Sequence, residues 1–155
     1  DRRLTVGDTK ASAVREVKDA IKRAGVPADV KVLRYAERSY TGLVYETEKY
    51  FPTWCFPEDA KQVQAAVHTY NALFDEPPTV GRWTFSTNAV SIAGMFKIPC
   101  VGFGPAPEDV AHTVNDSVPI AHLTKCAAFY AAFPEMYCNG AEAADSKKLN
   151  KFKRM

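Results

Sequence analysis

The sequence predicts an α/β fold, on three observations. Apolar residues recur at helical spacing in several separate stretches, short β-type runs fall between them, and Gly or Pro punctuates most junctions. Asp1-Arg2-Arg3-Leu4 reads as the end of a strand with nothing before it, so the chain is expected to be a fragment that begins partway through a sheet. Asp8 or Thr9 can cap a first helix running to Ala24, because Val14, Val17, Ile21 and Ala24 fall on one face and Gly25 follows as a stop. Residues 29–36 alternate as a half-buried strand does, through Val30, Val32 and Tyr35. From 37 to 56 the pattern dissolves into aromatic and Thr-rich chain with Gly42 and Pro52, which reads as a connection between two bodies of structure.

Pro57 suits the first turn of a second helix, whose Ala60, Val63, Val67, Tyr70 and Phe74 form a stripe as far as Asp75 before Pro77 and Pro78 end it. A short strand at 83–85, a small-residue helix over 87–96 and a buried strand at 100–103 continue the alternation. Gly104-Pro105-Ala106-Pro107 then forces a loop. Pro119 opens a last helix with Ile120, Leu123, Ala127 and Tyr130 facing inward, closing before Pro134 and followed beyond Met136 by a frayed or surface-laid basic tail.

Composition narrows the classes. The 155 residues are 46% hydrophobic, 25% charged and 12% aromatic, which excludes disordered and collagenous chains. A chain this long can remove roughly two-thirds of its unfolded surface from water. Lys+Arg 20 against Asp+Glu 18 leaves +2, an excess held in Lys147, Lys148, Lys151, Lys153 and Arg154, so no nucleic-acid footprint is expected. Apolar runs such as 127–133 fall far short of the ~20 residues of a bilayer span, and no leader pattern opens the chain. A cytoplasmic protein without a membrane partner is the expectation. Cys55, Cys100, Cys126 and Cys138 show no CxxC spacing and read as reduced, buried apolar thiols.

Three places can carry chemistry. His112 stands in a polar loop past the carboxyl end of the 100–103 run, where open α/β sheets place ligands; it is either a zinc donor or a hydrogen-bonded loop histidine. Ser86, Thr87 and Asn88 open the small-residue helix, where they either cap it or help its free N–H groups hold a carboxylate. Arg3, beside Arg2, offers a guanidinium fork for a substrate carboxylate or is simply a surface arginine. His68 and His122 read as structural or solvated. A Ser/His/Asp set can be assembled from Ser86 or Ser91 with His112 and Asp116, but neither serine lies in a GxSxG elbow.

Five runs together carry a resemblance: Asp1-Arg2-Arg3-Leu4-Thr5-Val6-Gly7-Asp8-Thr9; Tyr40-Thr41-Gly42-Leu43-Val44-Tyr45; Tyr50-Phe51-Pro52-Thr53-Trp54; Trp83-Thr84-Phe85-Ser86-Thr87-Asn88; and Ile98-Pro99-Cys100-Val101-Gly102-Phe103-Gly104-Pro105 continuing to Ala111-His112-Thr113. In this order they resemble the C-terminal portion of the zinc metallohydrolases that include acetylornithine deacetylase, succinyl-diaminopimelate desuccinylase and carboxypeptidase G, with the nearest likeness to the selenium-metabolism-linked hydrolase subgroup.

The resemblance implies a two-domain parent that cleaves amide bonds of small N-acyl or peptide substrates. An α/β catalytic domain holds two zinc ions, replaceable by cobalt or manganese, and an α+β lid domain also makes a homodimer. Residues 1–48 would be the second half of the lid, 49–135 the end of the catalytic domain and 136–155 the basic tail. His112 falls on a zinc-binding histidine, Asp116 on an outer carboxylate that is usually Glu, and Arg3 on the lid arginine that meets the substrate carboxylate. Thr87 matches a substrate-site threonine, whereas Asn88 stands where the family has Asp and Val90 where it has Arg. The remaining zinc ligands and the general base of such a parent would lie upstream of Asp1, so the chain alone is expected to be incomplete and inactive. The readings from other classes are a non-catalytic self-association or binding module and a small serine hydrolase centred on Ser86.

Overall fold

The structure, a computed structural model, describes residues 2–140. They are mixed: helices with one small antiparallel sheet. Two compact units are present, one of residues 2–55 and 87–98, the other of 56–86 and 99–140. The first unit runs to Cys55 and includes a later segment, Thr87–Ile98.

In the first unit α1 spans Lys10–Ala24, and both of its ends were set locally. Thr9 is the N-cap in a reciprocal capping box with Ser12, and Gly25 closes the helix in the left-handed conformation at φ 64°. Asp8 sits just before the cap, accepting from the Thr5 N–H and hydroxyl, bonds that hold its carboxyl below the usual range with help from Arg2. Ahead of α1, residues 2–4 form no strand.

The predicted strand over 29–36 shrinks to β1, Arg34–Tyr35, paired antiparallel with β2, Thr47–Glu48. The stretch expected to be a connection thus folds back as a hairpin, continued by the Arg38 to Val44 bridge and turned at Ser39, which donates to Leu43 O and accepts from Gly42 N–H. Lys10 of α1 reaches the Glu48 carboxylate at 2.6 Å and so ties helix to hairpin. That bond lowers the Glu48 pKa.

The small-residue helix is a six-residue π-helical turn, α2, at Val90–Met95, with the Phe96 N–H reaching back to Ser91 O. Its Gly94 lies against Pro52, and a Cβ there would stand 2.8 Å from the Pro52 carbonyl oxygen. The obstacle is backbone, so Gly94→Ala should cost about 1–3 kcal/mol by overpacking. Chemical denaturation of the variant checks this; an unchanged midpoint would contradict the packing described.

The second unit is built on α3, Lys61–Phe74, and α4, Ile120–Asn139. Its core is Leu73, Ala128, Phe129 and Ala132, with Ala66, Tyr70, Phe74, Phe103 and Phe133 packed around them. α4 buries a different face from the one periodicity picked, whereas the predicted stripe of α3 is met in part, with Val63 buried and Tyr70 and Phe74 packed on the core. α3 buries Gln62, Val63, Ala65, Thr69 and Leu73; Thr69 is tolerated there because its hydroxyl donates to Ala65 O at 2.7 Å.

α4 buries Cys126, Ala128, Phe129, Ala132 and Met136, whereas Ile120 is 81%, Leu123 47% and Tyr130 56% exposed. A helix apolar nearly all round carries two candidate stripes, and only its packing partner selects one. α4 also runs through Pro134 to Asn139 instead of closing before it. Burial of Phe129 and Ala132 before the proline and Met136 after it offsets the lost N–H bond. The helix thus occupies the first residues assigned to the basic tail, and residues 141–155 of that tail lie outside the described residues.

Neither 83–85 nor 100–103 is a strand. A strand exists only as part of a paired ladder, and these two runs form none among the described residues. The predicted α/β class is therefore met only at the level of mixed helix and sheet.

At one end of the helix pair, Glu76 accepts from Tyr70 Oη at 2.8 Å and Lys125 Nζ at 3.1 Å. The Tyr70 bond and then Lys125 hold the Glu76 pKa below its ordinary 4.5. A carboxyl lowered by folding stabilises above its unfolded pKa and loses that stabilisation as pH falls through the folded one. Wild type should therefore exceed Glu76→Gln in melting temperature at neutral pH, with the gap closing below about pH 4.5. Melts across pH 3 to 7 read this, and a gap independent of pH would refute it.

Candidate functional site

His112 lies in the second unit, in an exposed loop that follows a 3₁₀ turn at Glu108–Val110. Its backbone is left-handed at φ 62°, a conformation that costs most residues about 1–3 kcal/mol but that His adopts more readily than most. Two contacts fix it directly, and a third holds Asp116 in place. The His112 N–H donates to Asp116 Oδ2 at 3.2 Å, the Asp116 N–H donates to Thr113 O at 3.2 Å, and the imidazole meets the Phe85 ring edge-to-face at 5.2 Å. Asp116 thus reaches residue 112 through its main chain.

Phe85 is held in turn. Glu108 Oε1 accepts from both the Thr84 N–H at 2.5 Å and the Phe85 N–H at 3.0 Å. The Glu108 carbonyl accepts from the Ala111 N–H at 3.2 Å, so one residue links the 84–85 segment to the histidine loop. Sequence inspection missed Glu108 and Phe85. The available signal was an acidic pair directly after Pro107, at the start of a short turn.

Thr87, Asn88 and Arg3 belong to the first unit. Thr87 Oγ1 accepts from the Ala89 N–H at 3.2 Å and its carbonyl from Val90 N–H, while the Asn88 carbonyl accepts from Ser91 N–H. These contacts lead into the π turn, whose N-cap is Ala89 with no side-chain cap hydrogen bond, so neither Ser86 nor Thr87 caps it as the capping alternative expected. Arg3 is exposed, and its carbonyl accepts from Arg2 Nη1 at 2.8 Å. Ser91 sits inside the π turn of the first unit, whereas Ser86 lies in the second.

Of the other imidazoles, His122 is half-buried, with Nδ1 accepting from the Ala106 N–H at 3.3 Å, which places the proton of the neutral ring on Nε2. His68 is exposed and lines a shallow cleft with Lys61, Gln64, Met136 and Tyr137, where Lys61 Nζ lies over the Tyr137 ring. Of the four cysteines expected to be buried, Cys55 and Cys138 are exposed, whereas burial raises the thiol pKa of Cys100 and Cys126 and keeps both protonated at neutral pH.

Imidazole is a good zinc donor, and the exposed His112 ring can offer one ligand. Among the described residues, however, no group of three or more His, Cys, Asp and Glu side chains could hold a metal ion, so a complete centre does not fit within them. No helix of the described residues is long and apolar enough to cross a membrane.

No family model matches the chain, and no solved structure matches it. Curated relatives do. The chain is 48% identical over 136 residues to the uncharacterized protein YgeY of Escherichia coli strain K12, and equally so to that of Escherichia coli O157:H7. Each alignment takes in 86% of this chain and 33% of the relative, so the chain spans about a third of the length of the curated relatives it matches.

Proposed function

We propose that the chain forms the C-terminal part of a zinc-dependent hydrolase that cleaves amide bonds in small N-acyl or peptide substrates. His112 donates one imidazole to one metal ion, and Asp116 steadies its loop. Arg3, Thr87 and Asn88 hold the substrate, whose carboxylate suits a guanidinium and neutral donors. The parent would be a cytoplasmic homodimer joined through its lid domain.

The observation that carries this reading is the state of His112: an exposed imidazole on a left-handed loop residue, fixed at its N–H by Asp116 and at its ring by Phe85. A donor held at several points before metal arrives gives up less freedom on binding. The likeness to about a third of a longer relative supports the expectation that further ligands come from the rest of such a protein.

Bound zinc supplies Lewis acidity that activates water and polarises an amide carbonyl. Because the described residues do not complete a centre, no step is assigned to them beyond offering the imidazole and orienting substrate. The 155-residue chain supplied with zinc should accordingly hydrolyse no N-acyl amino acid. The full-length protein should do so, lose activity to a chelator, regain it with zinc and ignore a serine-directed phosphonate. Chelator-resistant activity abolished by the phosphonate would instead favour the serine reading at Ser86.

A further inference from the structure

We infer that Glu108 is a positioning residue for His112, acting through the backbone of Thr84 and Phe85. The inference rests on the proposed ligand role of His112 for its functional meaning, but its structural content is independent of any metal. The half-buried Glu108 carboxylate gathers two consecutive N–H groups onto one oxygen, at 2.5 Å from Thr84 and 3.0 Å from Phe85. A charged acceptor makes such bonds roughly twice as strong as neutral ones.

Glu108 is tied equally to the other side, since its own carbonyl accepts from Ala111, the residue before the histidine. The two tethers close a short circuit: Glu108 to the 84–85 backbone, Phe85 ring to His112 ring, and His112 backbone through Ala111 to Glu108. No strand pairing holds residues 84 and 85 among the described residues, so the carboxylate does the work of the missing ladder. Held in this way, the Phe85 ring lies against an imidazole that is otherwise exposed.

The test uses the metal-free 155-residue chain and the ring signals of its three histidines in NMR spectra. A packed phenyl ring displaces the His112 ring signals magnetically, so Phe85→Leu should shift them and leave those of His68 and His122 in place. Glu108→Ala should produce the same selective shift. Glu108→Gln keeps an acceptor oxygen at the same reach and should restore the wild-type signal. A wild-type His112 spectrum in Glu108→Ala would overturn the inference, as would Glu108→Gln shifting as far as Glu108→Ala.

Should Glu108→Ala disturb all three histidines through unfolding, the remaining two variants decide. Glu108→Gln matching wild type beside a selective Phe85→Leu shift supports the circuit, and any other pattern overturns it. Failure of the metal-ligand reading would show separately, as zinc content unaffected by His112→Ala in the full-length protein.

Discussion

Phe129→Ala should destabilise the second unit by about 3–5 kcal/mol, the largest effect expected of any single truncation among the described residues. Phe129 is only 2% exposed. Its ring stacks on Phe103 at 4.1 Å and on Phe133 at 5.6 Å, and Tyr130 meets it edge-on at 5.8 Å. Leu73 of α3 and Ala132 of α4 are also buried beside it, so removing the ring leaves a cavity in close-packed surroundings. Phe103 belongs to the segment that leads into the histidine loop, and the Tyr130 hydroxyl also donates to the Phe103 carbonyl. The loss should therefore reach the loop as well as the helix pair. Urea denaturation measures the effect. A change under about 1 kcal/mol would mean that this aromatic cluster is not the core of the unit.

The second large effect concerns chemistry. If His112 is a ligand as proposed, His112→Ala in a full-length parent would remove a donor atom that Asp116 and His122 are not placed to replace: Asp116 is held on the main chain of residue 112, and His122 Nδ1 accepts from Ala106. Loss of a partner that merely steadies a ligand typically costs about 10–100-fold in metal affinity or activity. Asp116→Asn should fall in that range, because an amide oxygen still accepts the His112 N–H. Loss of the ligand itself should exceed it. Steady-state hydrolysis of an N-acyl amino acid, with zinc in excess, orders the two variants; equal activity in both would remove the distinction drawn between the residues.

What the sequence disclosed was what short-range chemistry decides. Thr9 and Gly25 bound α1 because a capping box and a left-handed stop need only neighbouring residues. Pro119 opened α4 for the same reason. The buried face of α4 was hidden, since Ile120, Leu123, Ala127 and Tyr130 are as apolar as the stripe that packs, and the choice belongs to α3.

The hairpin at 34–48 escaped notice because its pairing lies across a turn of Ser39, Thr41 and Gly42 inside a stretch with no clean alternation. At the proposed site, His112 stands out in the sequence by its loop and by the resemblance. Glu108 does not, because the N–H groups it holds lie 23 and 24 positions earlier.

The most direct measurement is the zinc content of full-length wild-type protein and its His112→Ala variant, both stripped, reloaded and dialysed side by side. Wild type should retain about two ions per protomer, as a paired-metal centre requires, and the variant should retain fewer and hydrolyse nothing. Identical zinc with undiminished turnover in the variant would contradict the role given to this imidazole.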